Sequence, residues 1–148
     1  MTPADNAIRL RPATPEDADA VAALLGELGY PTTPEQARVR MARIRDDADY
    51  HTVLAESDGE VLGLIGLQRG WGYEHDRPFV RVLALVVAGR ARRRGVGACL
   101  IAAADDFARL HDAHDMHLTT ALHREEAHRF YEGLGFNRSG WRYTRPVG

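Results

Sequence analysis

The residues best suited to chemistry lie in one run, Val87-Ala88-Gly89-Arg90-Ala91-Arg92-Arg93-Arg94-Gly95-Val96-Gly97. An apolar stretch ends at Val87, and a helical pattern of Leu100, Ile101, Ala104, Phe107 and Ala108 follows Gly97. The run therefore joins a strand to a helix. The first N–H groups of that helix have no internal acceptors and lie at its positive end. Gly95 and Gly97 keep side chains clear of those groups, so a ligand can approach the backbone. Arg92, Arg93 and Arg94 add guanidinium forks that suit phosphate oxygens. A tight turn or a solvated arginine face would explain either feature alone; together at a helix start they predict a pyrophosphate cradle. A Walker loop requires a lysine, and all 19 basic residues here are arginine. A dinucleotide fingerprint fails at its third glycine, where Leu100 stands.

Other reactive side chains give weaker signals. Cys99 falls inside the helical pattern and reads as a small apolar residue. His111, His114 and His117 recur every third residue, but the segment crosses a helix end and carries Asp112 and Asp115. Solvated surface is the better reading than a zinc site, and no metal is expected. Phe130 and Tyr131 are neighbours on a helix, so their side chains diverge by about 100°. Phe130 suits the core; Tyr131 can reach a cleft with its hydroxyl.

These residues need a scaffold, and the chain supplies signals for one. Ile8–Arg11 alternates as a short strand before Pro12. Thr14-Pro15-Glu16-Asp17 starts a helix with Val21, Leu24, Leu25 and Leu28 on one face, and Gly29 and Pro31 end it. Thr33-Pro34-Glu35 starts a second helix, running to about Arg45, with a narrow apolar stripe. Thr52–Glu56 and Val61–Leu67 flank the turn Ser57-Asp58-Gly59 as a hairpin. Arg69–Pro78 reads as loop, and Phe79–Ala88, the most apolar strand, as central and covered on both faces. Met116–Ala121 reads as a further strand, Ala127–Leu134 as a helix, and Trp141–Thr144 as a closing strand-like piece. The order is α/β with a mixed sheet, in a single domain spanning residues 1–148.

Composition bounds the function. With 148 residues, 45% hydrophobic, 27% charged and a net charge of −2, this is an ordinary globular balance. Near-neutral charge and the lack of an interleaved aromatic platform argue against a nucleic-acid partner. No apolar run reaches the roughly 20 residues of a membrane span, and the N-terminus lacks a signal-peptide core, so a cytoplasmic location is expected. One cysteine excludes an internal disulfide.

At this point the chain resembles the GNAT superfamily of acyl-CoA-dependent N-acetyltransferases. Arg92-Arg93-Arg94-Gly95-Val96-Gly97 is similar to the family's Arg/Gln-x-x-Gly-x-Gly/Ala signature, with Val87 at the expected distance. Ala127-His128-Arg129-Phe130-Tyr131-Glu132-Gly133-Leu134-Gly135-Phe136 is similar to its Ala-x-x-Phe-Tyr-x-x-x-Gly-Phe element, and Ile8–Asp17 to its opening strand and helix. The resemblance implies a mostly antiparallel sheet flanked by about four helices, with splayed central strands that admit a pantetheine arm. It implies acetyl-CoA as co-substrate, bound by Arg92, Arg93, Arg94, Gly95, Val96 and Gly97, with Leu85, Val86 and Val87 offering backbone at a strand bulge. It also implies that Tyr131 lies near the thioester sulfur and assists thiolate departure. Arg124 departs from an asparagine common in the family; Arg81 and Ala84 occupy a stretch where many relatives carry an acid. The expected reaction is direct attack of a primary amine on the thioester. Glu74, His75 and Asp76 precede the central strand and are the titratable candidates to take the amine's proton, a water relay being the alternative. The resemblance points to a small-molecule amine and, in its aminoalkylphosphonate branch, to one bearing an anion, for which Arg69, Arg77, Arg81 and Arg142 are candidate partners. A homodimer is also expected. The alternatives are a protein N-terminal or lysine acetyltransferase and a non-catalytic acyl-CoA-binding module.

Overall fold

A computed structural model of the chain describes residues 7–120 and 124–148. Strand β1 (Arg9–Pro12) leads through a short 3₁₀ turn into helix α1 (Ala18–Leu28), which ends on Gly29 at φ 110°. The Asp17 carboxylate fixes this entry: it accepts from the Thr14 amide at 2.8 Å and from both terminal nitrogens of Arg11 at 2.8 and 2.9 Å. Helix α2 (Pro34–Arg45) begins with a reciprocal cap, Gln36 N donating to Thr33 Oγ1 at 3.1 Å and Thr33 N to Gln36 Oε1 at 2.9 Å. Then follow β2 (Tyr50–Ser57), β3 (Glu60–Gly70), β4 (Phe79–Val87), helix α3 (Val96–Leu110), β5 (Asp115–His117) and helix α4 (Glu125–Gly133).

The sheet order is β1-β2-β3-β4-β5, antiparallel as far as β4 and parallel between β4 and β5. Positive φ at Asp58 and Gly59 closes the β2–β3 hairpin where the sequence placed it. α3 packs one face of the sheet through buried Val96, Leu100, Ile101, Ala104 and Phe107, while α1 and α2 cover the other. The core joins these helices to Leu54, Ile65, Leu67, Val80 and Val86.

Three expectations differ from what is observed. The strand expected at Met116–Ala121 is paired only over Asp115–His117; Leu118, Thr119 and Thr120 are not strand, and Ala121 lies outside the described residues. Trp141–Thr144 forms no strand, and Trp141 and Tyr143 are 77% and 91% exposed. A strand needs a partner ladder, and β5 offers only a short one. Phe130 is not core; it is 37% exposed, and its ring lies over Gly97. None of the described helices is long and apolar enough to cross a membrane.

Candidate active site

The site begins where two strands part. β4 and β5 pair at Phe79–Asp115, Val80–Met116 and Arg81–His117, and there the pairing stops, although β4 runs on to Val87. Among the described residues, one edge of β4 is therefore free of strand partners from Val82 to Val87. Its other edge stays zipped to β3, where the register shifts between Gly66 and Leu67 and Leu83 is the extra residue. The bulge thus sits at Leu83, earlier than the Leu85–Val87 position expected from the resemblance. It reverses the alternation, so that Leu85 and Val87 share a face with Val80 and Val82.

The direction of the peptide groups follows from one hydrogen bond. Ala88 N donates to Leu62 O at 2.8 Å, so Val86 and Ala88 turn their peptides toward β3. Leu85 and Val87 then turn theirs to the open edge. The sequence named Leu85, Val86 and Val87 together; the register separates two that face the gap from one that faces β3.

Beside this edge lies the start of α3. Gly95 is its N-cap at φ 80°, and the preceding Arg93 also has positive φ, 67°. The first amide used inside the helix is that of Cys99, which donates to Gly95 O at 3.1 Å. The amides of Val96, Gly97 and Ala98 precede it and point out of the helix end. A Cβ built on Gly95 would meet nothing within 4 Å, leaving room for an anion. Arg92, Arg93 and Arg94 are exposed around this end, whereas Arg90 is drawn away by Glu60 at 3.4 Å and Val61 O at 3.1 Å.

Gly97 has a different neighbour from the one its position in the motif implied. A Cβ there would come within 2.8 Å of the Phe130 ring, so this glycine admits α4 to the first turn of α3. That contact brings α4 alongside the cradle. Tyr131, the next residue, is half-buried and packs its ring edge-on against Phe136 at 5.8 Å. Burial pushes its phenol above the ordinary tyrosine range, an effect that nearby Arg124 opposes. The hydroxyl accordingly stays protonated as a donor at neutral pH.

Glu74 and His75 are not brought to this cluster. They lie exposed in the 71–78 loop at the other end of β4, with His75 stacked on His114 at 3.7 Å between ring centroids. Phe79 and Leu85 pair with Gly70 and Ile65, five residues apart on β3, about 17 Å of strand. Of the three spaced histidines, His117 is exposed and packs on Phe79 at 4.9 Å, while His111 and His114 are half-buried and His111 bonds Arg69 at 2.9 Å.

An unzipped strand edge beside a bare, arginine-ringed helix start is an arrangement for an extended ligand with an anionic end. The model of the Acetyltransferase (GNAT) family matches residues 19–136. The chain belongs to the GNAT acetyltransferase family. It is an acetyl-CoA-dependent N-acetyltransferase. This GNAT chain is 36% identical over 139 residues to an aminoalkylphosphonate N-acetyltransferase of Salmonella typhimurium, covering 93% of this chain and 90% of that one. Its fold is similar to that of an aminoglycoside N-acetyltransferase solved with CoA (TM-score 0.88, 17% identity, 99% of each chain). It is also similar to that of a transcriptional regulator from Bacillus halodurans (TM-score 0.86, 23% identity, 95% of this chain and 100% of that one). At those identities the two structures speak to the fold alone.

Proposed function

We propose that this GNAT enzyme transfers the acetyl group of acetyl-CoA to a small primary amine by direct attack on the thioester. The observation that carries this reading is the free edge of β4 beyond Arg81, set beside the uncapped start of α3. The pyrophosphate of acetyl-CoA suits the amides of Val96, Gly97 and Ala98 and the guanidinium groups of Arg92, Arg93 and Arg94. Its pantetheine amides suit the peptide groups of Leu85 and Val87, in the manner of an added strand. Val86 contributes by holding β4 to β3.

The chemistry then balances without a covalent enzyme intermediate. The amine nitrogen, once neutral, forms a bond to the thioester carbon, and the oxyanion takes a hydrogen bond from the open edge of β4. The C–S bond breaks as the oxyanion collapses, the Tyr131 hydroxyl hydrogen-bonds the departing thiolate and passes it a proton late in the step, and the phenolate regains a proton from the water that takes up the amine's. The amine's proton leaves through water. The relative's activity on aminoalkylphosphonates supports a small amine rather than a protein one.

The test is thiol release from acetyl-CoA with a panel of small primary amines, products being identified by mass. Amine-dependent release with an acetylated product is the expected result. Tight acetyl-CoA binding with no turnover on any amine would instead mark a non-catalytic module.

A further inference from the structure

The four arginines named as partners for an acceptor's anion are sorted by the fold. Arg69 is held by Asp49 at 2.7 Å and His111 at 2.9 Å. Arg77 reaches exposed Asp112 at 3.4 Å, and Arg142 reaches Thr119 at 3.4 Å in an exposed position. Arg81 differs: it is half-buried and has no hydrogen bond or ion pair among the described residues.

Its face follows from register. A Cβ on Gly63 would strike Val96 and Leu100, so Gly63 faces α3, and with it Ile65 and Leu67 by alternation. Gly66 and Gln68 face the opposite side. Arg81 pairs with Gln68, and Ala84 with Gly66, so both lie on the side away from α3. Arg81 also pairs with His117 in the last rung before the strands part, and Gln68 pairs with Tyr50 on β2. Tyr50, Gln68, Arg81 and His117 thus form one polar rung across four strands. Gln68 Nε2 donates to the Tyr50 hydroxyl at 3.1 Å. The next rung toward the gap is Thr52, Gly66 and Ala84, all small; a Cβ on Gly66 would meet only Leu83 Cβ, at 4.0 Å.

Small residues there leave a shallow floor at the vertex of the splay. A cation stands over one side of it, about 7 Å of strand from Ala84 because Leu83 is bulged out, within the combined reach of a guanidinium and a short aminoalkyl anion. We infer that Arg81 binds the anionic group of the acceptor, so that the enzyme selects small primary amines carrying a phosphonate or carboxylate. Gln68 and His117 flank Arg81 in the rung and border the same group, and the amine nitrogen points along the floor toward Leu83. The inference rests on the proposed acetyl transfer to a small amine.

The experiment compares 2-aminoethylphosphonate with propylamine, using acetyl-CoA and wild type, Arg81→Gln and Arg81→Lys. Wild type is expected to favour the phosphonate in kcat/KM. Arg81→Gln is expected to lose about 10–100-fold of that preference, mostly in KM, with propylamine turnover and acetyl-CoA affinity within a few-fold of wild type. Arg81→Lys is expected to recover part of it. Propylamine turnover in each variant reports that the fold and the acetyl site are intact, and Arg81→Lys carries the comparison if the glutamine variant does not fold. A preference unchanged in the variants, or a wild type indifferent to the anion, overturns the inference while leaving acetyl transfer standing. A wild type that acetylates neither amine, nor any other, overturns both.

Discussion

At the scale of single residues the account turns on Tyr131. Its phenol is half-buried, pushed toward the protonated form, and carried by the helix that leans on the cradle through Phe130. Tyr131→Phe keeps the ring and its contact with Phe136 while removing the hydroxyl. The expected result is a fall in kcat of about 10²–10⁴-fold with acetyl-CoA affinity and Tm close to wild type. Normal turnover would make Tyr131 a packing residue. Tyr131, Gly95 and the three arginines were legible in the sequence because their chemical types and spacing are themselves the signal. Phe130 was misread because its partner, Gly97, is more than thirty positions away, and nothing local says that a phenyl ring covers a helix start. Arg81 was visible as a charge in an apolar strand, but it was one of four candidates. Only register distinguishes a cation on the open floor from one spent on Asp49.

At the scale of elements, the working feature is a parallel pair that stops pairing. The apolar run Phe79–Ala88 announced a central strand, and the observed β4 matches it to within one residue. Where β5 ends was not legible, because Met116–Ala121 has the pattern of a strand whether or not its backbone finds a partner. The bulge at Leu83 was displaced for the same reason: backbone pairing leaves no mark on side-chain type. The first turn of α3 gives the cleanest prediction for the cradle. A substitution at Gly97 would strike Phe130 and move α4, mixing a packing effect with a binding one. Gly95 has open space around it, so Gly95→Glu places a carboxylate where the pyrophosphate is proposed to sit. Positive φ there costs a non-glycine residue about 1 kcal/mol. Calorimetry is expected to show acetyl-CoA affinity reduced at least tenfold in a folded variant; unchanged affinity would remove the cradle assignment.

At the scale of the whole molecule, one half-buried charge network ties the first strand and helix to the sheet. Arg11 bridges Asp17 and, at 3.0 Å, Glu56 of β2. The Arg11 guanidinium holds the Asp17 carboxyl down at about 2, from an ordinary 3.8. A depressed carboxyl stabilises the fold above its unfolded value and loses that contribution as pH falls through about 2. The linkage amounts to about 2 kcal/mol near neutrality. Asp17→Asn is therefore expected to lower stability to denaturant at pH 7 by about that much, and to flatten the loss of stability between pH 4 and pH 2 seen in wild type. An equally steep acid limb in the variant would assign that loss to other carboxylates. The fold class and the order of its elements were readable from hydrophobic periodicity, caps and turns. The missing closing strand was not, since Trp141–Thr144 has strand-like residues but no ladder to join.

The central claim is that acetyl-CoA lies along the unzipped edge of β4 with its pyrophosphate on the start of α3. Residue-resolved amide hydrogen exchange, with and without saturating acetyl-CoA, tests it most directly. The account predicts slowed exchange at Leu85, Val87, Val96, Gly97 and Ala98, and no change at Val86, which is already bonded to β3. Saturation with acetyl-CoA that leaves those five amides unprotected would contradict it.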